Sequence, residues 1–287
     1  MVADHEGQNT TFPKESKDEL TLALAEVNKW EKEQKDLWIW ERFSRLPFKI
    51  LDRLTPKFIH DKLGKALDEL GSYIQHGGRY LVSDESIYRL LQEKAQRTEN
   101  LPKDTFPLPV MDAVSEDLAS SRSKFATVQG ATTGFGGIFT LAVDIPAVLG
   151  LALKVIQEIG LCYGYDPNLK EERVFTVKVM QFASSDIVGK RAILDELNTY
   201  VMAGQASGQG EDTTVSRIQG WHEVITLYRD NWGWKKLFQM VPIAGMIFGA
   251  YINRGMLLDV AEAARMLYRK RRILTRLAEL EKGSISG

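Results

Sequence analysis

A long apolar run, entered through a glycine- and threonine-rich turn, sets the tightest limit on what this chain can fold into. The turn carries Gly130, Thr132, Thr133, Gly134, Gly136 and Gly137. The run that follows is interrupted once, by Asp144 and Pro146, and closes on Tyr163, Gly164, Tyr165, Asp166 and Pro167. A buried charge is costly unless it is paired, and a proline inside a helix removes a backbone hydrogen bond. Asp144 and Pro146 therefore predict two helices joined by a bend, an apolar, glycine-rich helical hairpin from Gly134 to Tyr163.

The chain's 287 residues suffice for one large domain, and the net charge of −1 argues against a nucleic-acid partner. Cys162 is the only cysteine, so no disulfide forms within the chain, and its apolar setting suits a small buried hydrophobe. Residues 1–16 are polar and lack the apolar core of a signal peptide. They read as a disordered tail, and the expected location is the cytoplasm, at most peripheral to the inner face of a membrane. The stretch from Gly134 to Leu153 approaches the length a bilayer demands, but its glycines, Asp144 and Pro146 favour a buried helix pair.

Helical periodicity dominates elsewhere. Helices are expected from Leu20 past Trp30, over Phe58–Gly71, from Ser83 (an N-cap followed by Asp84 and Glu85) through Leu91, and over Val110–Val128. Further helices are expected after Asp166–Pro167 to about Met180, and over Asp186–Met202, Ile218–Tyr228, Trp232–Ile252 and Met256–Leu280. The stretch Ala203–Ser216, small, polar and glycine-rich, reads as a flexible loop. The sum is an all-α fold, a single multi-helix domain over residues 17–283.

Two motifs carry a resemblance. The residues Gly134-Phe135-Gly136-Gly137, Asp144-Ile145-Pro146, Ile156-Gln157-Glu158-Ile159 and Tyr163-Gly164-Tyr165-Asp166 resemble a signature of the EcsC family. Val241-Pro242-Ile243-Ala244-Gly245, with Gly249 and Asn253, resembles its second signature. The likeness covers roughly residues 30 to 280. It implies a bacterial protein whose operon also encodes an ABC transporter, hence a possible transporter partner. It implies no defined biochemical activity, so no catalytic residue is carried over.

Four constellations remain as candidates. The turn bearing Thr132, Thr133, Gly134, Gly136 and Gly137 either presents N–H groups to an anion or serves close helix packing. Asp144 is either a ligand-lining acid or base in an apolar pocket, or the cap of a helix starting near Pro146; capping accounts for both residues. Pro242, Gly245, Gly249 and Asn253 mark a small-residue stripe for close helix packing. In Trp38–Leu54, Phe43, Leu46, Ile50 and Leu54 form an apolar stripe. Arg42, Arg45, Lys49 and Arg53 repeat it one residue earlier, with Trp38 and Trp40 upstream. A basic stripe with tryptophan suits an anionic bilayer, and Arg269 and Arg272 in a second basic cluster are the other lipid-contact candidates, against a solvated helix face as the plainer account.

The four histidines show no metal-ligand spacing, and neither a nucleophile elbow nor a kinase set is present. No metal or cofactor is expected. The expected function is a non-enzymatic cytoplasmic accessory protein at the membrane periphery, beside a transporter. The alternative is a lipid-like ligand-binding protein or hydrolase with a cavity lined by Asp144.

Overall fold

Ser16 opens the first helix by reciprocal capping: its hydroxyl accepts from the Glu19 N–H at 3.2 Å, and its own N–H donates to the Glu19 carboxylate at 2.8 Å. The helix it starts, α1, spans Lys17–Lys35 and buries Leu20, Ala23, Val27 and Trp30 at helical spacing. Ser16 and Glu15 belong to this fold, although the sequence places them at the end of a tail. The computed structural model describes residues 15–35, 82–96, 101–133, 138–185, 189–197 and 253–285, with the backbone alone for 103, 123–149, 184, 253–256 and 285.

Among these residues every regular element is helical. Helix α2, Asp84–Lys94, is capped by Ser83 as the sequence predicts, the Ser83 side chain accepting from the Ser86 N–H at 3.3 Å. A single 3-10 turn, Lys103–Thr105, leads to α3, Leu108–Thr133. Then follow α4, Ile138–Cys162, and α5, Lys170–Ser184, with a further helical stretch over 189–197. The last helix, α6, runs for 33 residues, Asn253–Ile285. It packs against α1, α3, α4 and α5, so it is the axis of the bundle. Its inward face presents Leu257, Val260, Ala261, Ala264, Leu267 and Tyr268, all buried.

The all-α expectation holds, but the central hairpin is built differently. Residues 138–162 form one helix that runs unbroken through Asp144 and Pro146. The ring of Pro146 removes one hydrogen bond, the one the carbonyl of Ala142 would accept, and a helix of this length survives that loss. The hairpin partner of α4 is α3. The last residues of α3, Gly130 to Thr133, are helical and not part of the turn.

The start of α5 is also later than expected. Asp166 does not cap it: its carboxylate accepts from the Asn168 N–H at 2.9 Å, closing a local turn, and the helix begins four residues on, at Lys170. The expected elements over 58–71, 203–216, 218–228 and 232–252 lie outside the described residues.

The end of α4 shows why aromatic residues and a glycine close the apolar run. The Tyr165 N–H donates to the Gly160 carbonyl and the Gly164 N–H to the Leu161 carbonyl, both at 3.0 Å. Gly164 has φ +80°. This is the paired-bond C-terminal cap that needs a left-handed residue one place beyond the helix.

Candidate functional site

Arg265, Arg269, Arg272 and Arg276 recur on α6 at intervals of four, three and four, which places them on one side of the helix. That side faces the bundle, so the guanidiniums of Arg269, Arg272 and Arg276 enter the protein, while Arg265 stays partly exposed. Arg269 donates from Nε to Asp112 at 2.9 Å and from Nη1 to Glu26 at 2.9 Å, bridging α3 and α1. Arg272 donates through Nε to the Tyr163 carbonyl at 2.7 Å, and its Nη2 reaches the same oxygen. Arg276 pairs with Glu15 and donates to the Phe106 carbonyl at 2.6 Å and the Asp104 carbonyl at 3.0 Å. Arg265 lies 3.7 Å from Glu116 on α3.

The intervening basic residues pair too. Lys270 meets Glu31 of α1 at 2.7 Å. Arg271 grips Glu172 of α5 with two bonds of 2.8 and 2.6 Å. Its guanidinium also lies 4.1 Å from the ring centre of Tyr165 and 4.2 Å from that of Phe175. Burial pulls the Arg271 pKa down, and the Glu172 carboxylate more than reverses that, so the net shift is upward. For Arg276 burial prevails, and its pKa falls.

Arg269 and Arg272 are therefore not lipid contacts, nor do they form a solvated face. Their guanidiniums are spent on Asp112, Glu26 and the carbonyl that ends α4. The sequence reading missed their partners, Asp112, Glu26 and Glu172, and the role of Arg271. The available signal was the four-three-four spacing: charges on a helix stripe that also carries Leu257, Ala261, Ala264 and Tyr268 face inward.

The densest polar cluster lies beside this stripe. The Tyr163 hydroxyl donates to Asp112 Oδ1 at 2.7 Å, and the Ser115 hydroxyl, 3.3 Å away, bonds to the Asp112 carbonyl at 2.8 Å. Burial raises the Asp112 pKa against the opposing pull of Tyr163 and Arg269. Burial first, and the Asp112 charge second, push the Tyr163 phenol well above its ordinary range. A phenol held protonated and aimed at a carboxylate is a positioned hydrogen-bond donor, not a nucleophile. Cys162 is wholly buried, and burial raises its thiol pKa, so it has no thiolate character. Further along the contact between α3 and α4, Glu158 is held by Arg122 through bonds of 2.9 and 2.7 Å. Glu158 belongs to the Ile156–Ile159 motif, and the bond to it raises the Arg122 pKa.

The other sequence candidates distribute as follows. Thr132 and Thr133 are the last two residues of α3, while Gly134, Gly136 and Gly137 lie outside the described residues. Asp144 lies in the interior of α4 and caps no helix. Asn253 is the first residue of α6; Pro242, Gly245 and Gly249 lie outside the described residues. Trp38, Trp40, Arg42, Arg45, Lys49 and Arg53 also lie outside them, directly after the last residue of α1. Among the described residues no group of histidine, cysteine or acidic side chains could hold a metal ion, and no helix is long and apolar enough to cross a membrane.

Comparison with known proteins gives a consistent answer. The model of the EcsC protein family matches residues 21–273. The uncharacterized protein YdbA of Bacillus subtilis (strain 168) is 53% identical over 280 residues, covering 94% of this chain and 99% of that one. Protein EcsC of the same organism is 26% identical over 235 residues, covering 81% of this chain and 87% of its own length. No solved structure matches the chain.

Proposed function

Since the chain belongs to the EcsC protein family, we propose that it is a non-enzymatic accessory protein that docks peripherally on an anionic membrane surface through Trp38–Leu54. The observation that carries this reading is the paired stripe itself. Arg42, Arg45, Lys49 and Arg53 stand one residue ahead of Phe43, Leu46, Ile50 and Leu54, with Trp38 and Trp40 in front. Tryptophan and a basic amphipathic segment together favour the headgroup region of an anionic bilayer. The commitment of the α6 arginines to internal partners adds to it, because Trp38–Leu54 is then the one lipid-facing candidate from the sequence still available. The non-enzymatic part is supported by the state of the polar core, where Asp112, Tyr163, Glu158 and Glu172 bond to one another or to arginines.

Co-sedimentation with phosphatidylglycerol-containing vesicles at low salt tests the reading. Binding should be lost on pure phosphatidylcholine and weakened by salt. Each basic residue near an anionic surface is worth about 1 kcal/mol, so Arg42→Gln with Arg45→Gln should weaken binding roughly thirtyfold. A wild-type chain that stays in the supernatant at low salt would sink the proposal.

A second reading is favoured by one observation: α4 runs straight through Asp144, so helix capping does not account for this residue. We propose in that case a lipid-like ligand held between helices with Asp144 at its polar end. Native mass spectrometry of the purified chain should then show bound lipid that Asp144→Asn reduces several-fold. Equal lipid content in the two proteins, or none in either, rejects it.

A further inference from the structure

The start of α3 carries no cap of its own. Its first residue, Leu108, follows Pro107, which has no side-chain acceptor, and the next residue, Pro109, has no N–H to satisfy. Val110 and Met111 both donate to the Pro107 carbonyl, at 3.0 and 3.1 Å. That leaves the Leu108 N–H, whose partner must come from elsewhere. Glu15 supplies it: its carboxylate accepts from the Leu108 N–H at 2.6 Å, from a position 93 residues earlier.

The same carboxylate pairs with Arg276 of α6. Both side chains are withdrawn from solvent, that of Glu15 to 16% exposure and that of Arg276 to 10%. Burial pulls the Arg276 pKa down, Arg272 adds to the pull, and Glu15 is the main group opposing both. Arg276 also donates to the Phe106 carbonyl at 2.6 Å and to the Asp104 carbonyl at 3.0 Å. One ion pair thus holds three parts of the chain: the residue two places before α1, the segment 101–107 that leads into α3, and the second half of α6. The partners also flank residues 21–273, the stretch that the family model matches, with Glu15 before it and Arg276 after it.

We infer that Glu15 and Arg276 form a latch that draws the two flanks of the family-matched stretch over the start of α3, and that this latch opens as a unit while the rest of the bundle stays folded. The segment it holds has little structure of its own. A single 3-10 turn, Lys103–Thr105, is its one regular element, and outside the latch it is tied by Tyr88, through the Leu101 carbonyl and an edge contact with the Phe106 ring. Segments with few internal backbone bonds open at lower free energy than packed helices. The ties deeper in the bundle, Arg269 to Asp112, Arg271 to Glu172 and Arg272 to the Tyr163 carbonyl, do not pass through Glu15 and survive its release. Without Glu15 the Arg276 guanidinium stays buried beside two carbonyls with no carboxylate bonded to it. Moving 101–107 aside is the shortest way to bring water to that charge.

Hydrogen exchange of the full chain, read by mass spectrometry, tests the latch. Glu15→Ala should speed exchange over residues 104–111 by about tenfold or more, the effect of losing one charge-assisted bond. Exchange over 153–162 in α4 and 257–268 in α6 should stay within about twofold of wild type. Lys17→Ala removes a contact between the same flanks, the exposed Lys17–Glu281 pair at 3.8 Å, and should leave 104–111 as in wild type. The wild-type protein in dilute urea gives a second measurement should Glu15→Ala fail to fold: 104–111 should exchange ahead of 153–162. Unchanged exchange over 104–111 in Glu15→Ala, an equal rise over all three stretches, an equal rise in Lys17→Ala, or 104–111 and 153–162 opening together in urea each overturns the latch.

Discussion

Arg271→Met should cost about 3–5 kcal/mol of folding stability, the largest effect of any single substitution argued for this chain. The loss is not that of one favourable contact. Glu172 has a side chain only 6% exposed, and Arg271 supplies both of its charge-assisted bonds, at 2.8 and 2.6 Å. Without the guanidinium a carboxylate remains in the interior with nothing opposite it, and the rings of Tyr165, Phe175 and Tyr268 lose the cation they enclose. In a chain of this size the thermal midpoint should fall by roughly 10 °C. The second arm separates pair energy from unpaired charge: Arg271→Met combined with Glu172→Gln should recover more than half of the loss, since a neutral amide tolerates burial better than a bare carboxylate. Circular-dichroism melts and urea titrations of the wild type and the two variants decide it. A single mutant within about 1 kcal/mol of wild type would show that solvent enters and screens the pair.

The same side chains mark where the sequence was legible and where it was not. Local chemistry with one dominant cause was readable. Ser83 before Asp84 and Glu85 announced the start of α2, and the run from Leu20 past Trp30 announced α1, although its buried face of Leu20, Ala23, Val27 and Trp30 came only from the structure. Signals with two competing causes misled. Pro146 is read as a break because the proline ring forbids one hydrogen bond, yet α4 has many others along its 25 residues. Asp166 with Pro167 is read as a helix start, yet the Asp166 carboxylate serves a tighter local turn first. Ser16 with Glu19 forms a capping box that the polar run around it concealed. The arginines of α6 were the deepest failure. A run of Arg269 to Arg272 suggests a solvated or lipid-facing surface when viewed alone. Its partners, Asp112, Glu172, Glu26 and Glu31, lie on three other helices, and no local pattern announces a pairing with a residue 99 or more positions away.

The Tyr163-Gly164-Tyr165-Asp166 motif closes the end of α4, and packing explains it. Tyr163 offers its hydroxyl to Asp112 and its carbonyl to Arg272; Tyr165 stacks under Arg271.

Gly164→Ala tests the Arg272 clasp on the end of α4 most sharply, with an expected loss of about 2–4 kcal/mol from two separable sources. The first is backbone strain. At φ +80° an L-alanine meets its own neighbouring carbonyl, a cost of about 1–2 kcal/mol that glycine escapes. The second is space. A Cβ at this position would come to 2.5 Å from Arg272 Nη2 and 3.2 Å from the Asp104 backbone. The guanidinium cannot retreat without weakening its hold on the Tyr163 carbonyl, the group that joins α6 to the end of α4. Gly164→Asn distinguishes the sources, because asparagine tolerates the left-handed region yet carries the same Cβ. If strain dominates, the asparagine variant should be about 1 kcal/mol milder than alanine; if the clash with Arg272 dominates, the two should unfold at the same urea concentration. An alanine variant within about 0.5 kcal/mol of wild type would mean that the Arg272 clasp does not constrain the end of α4.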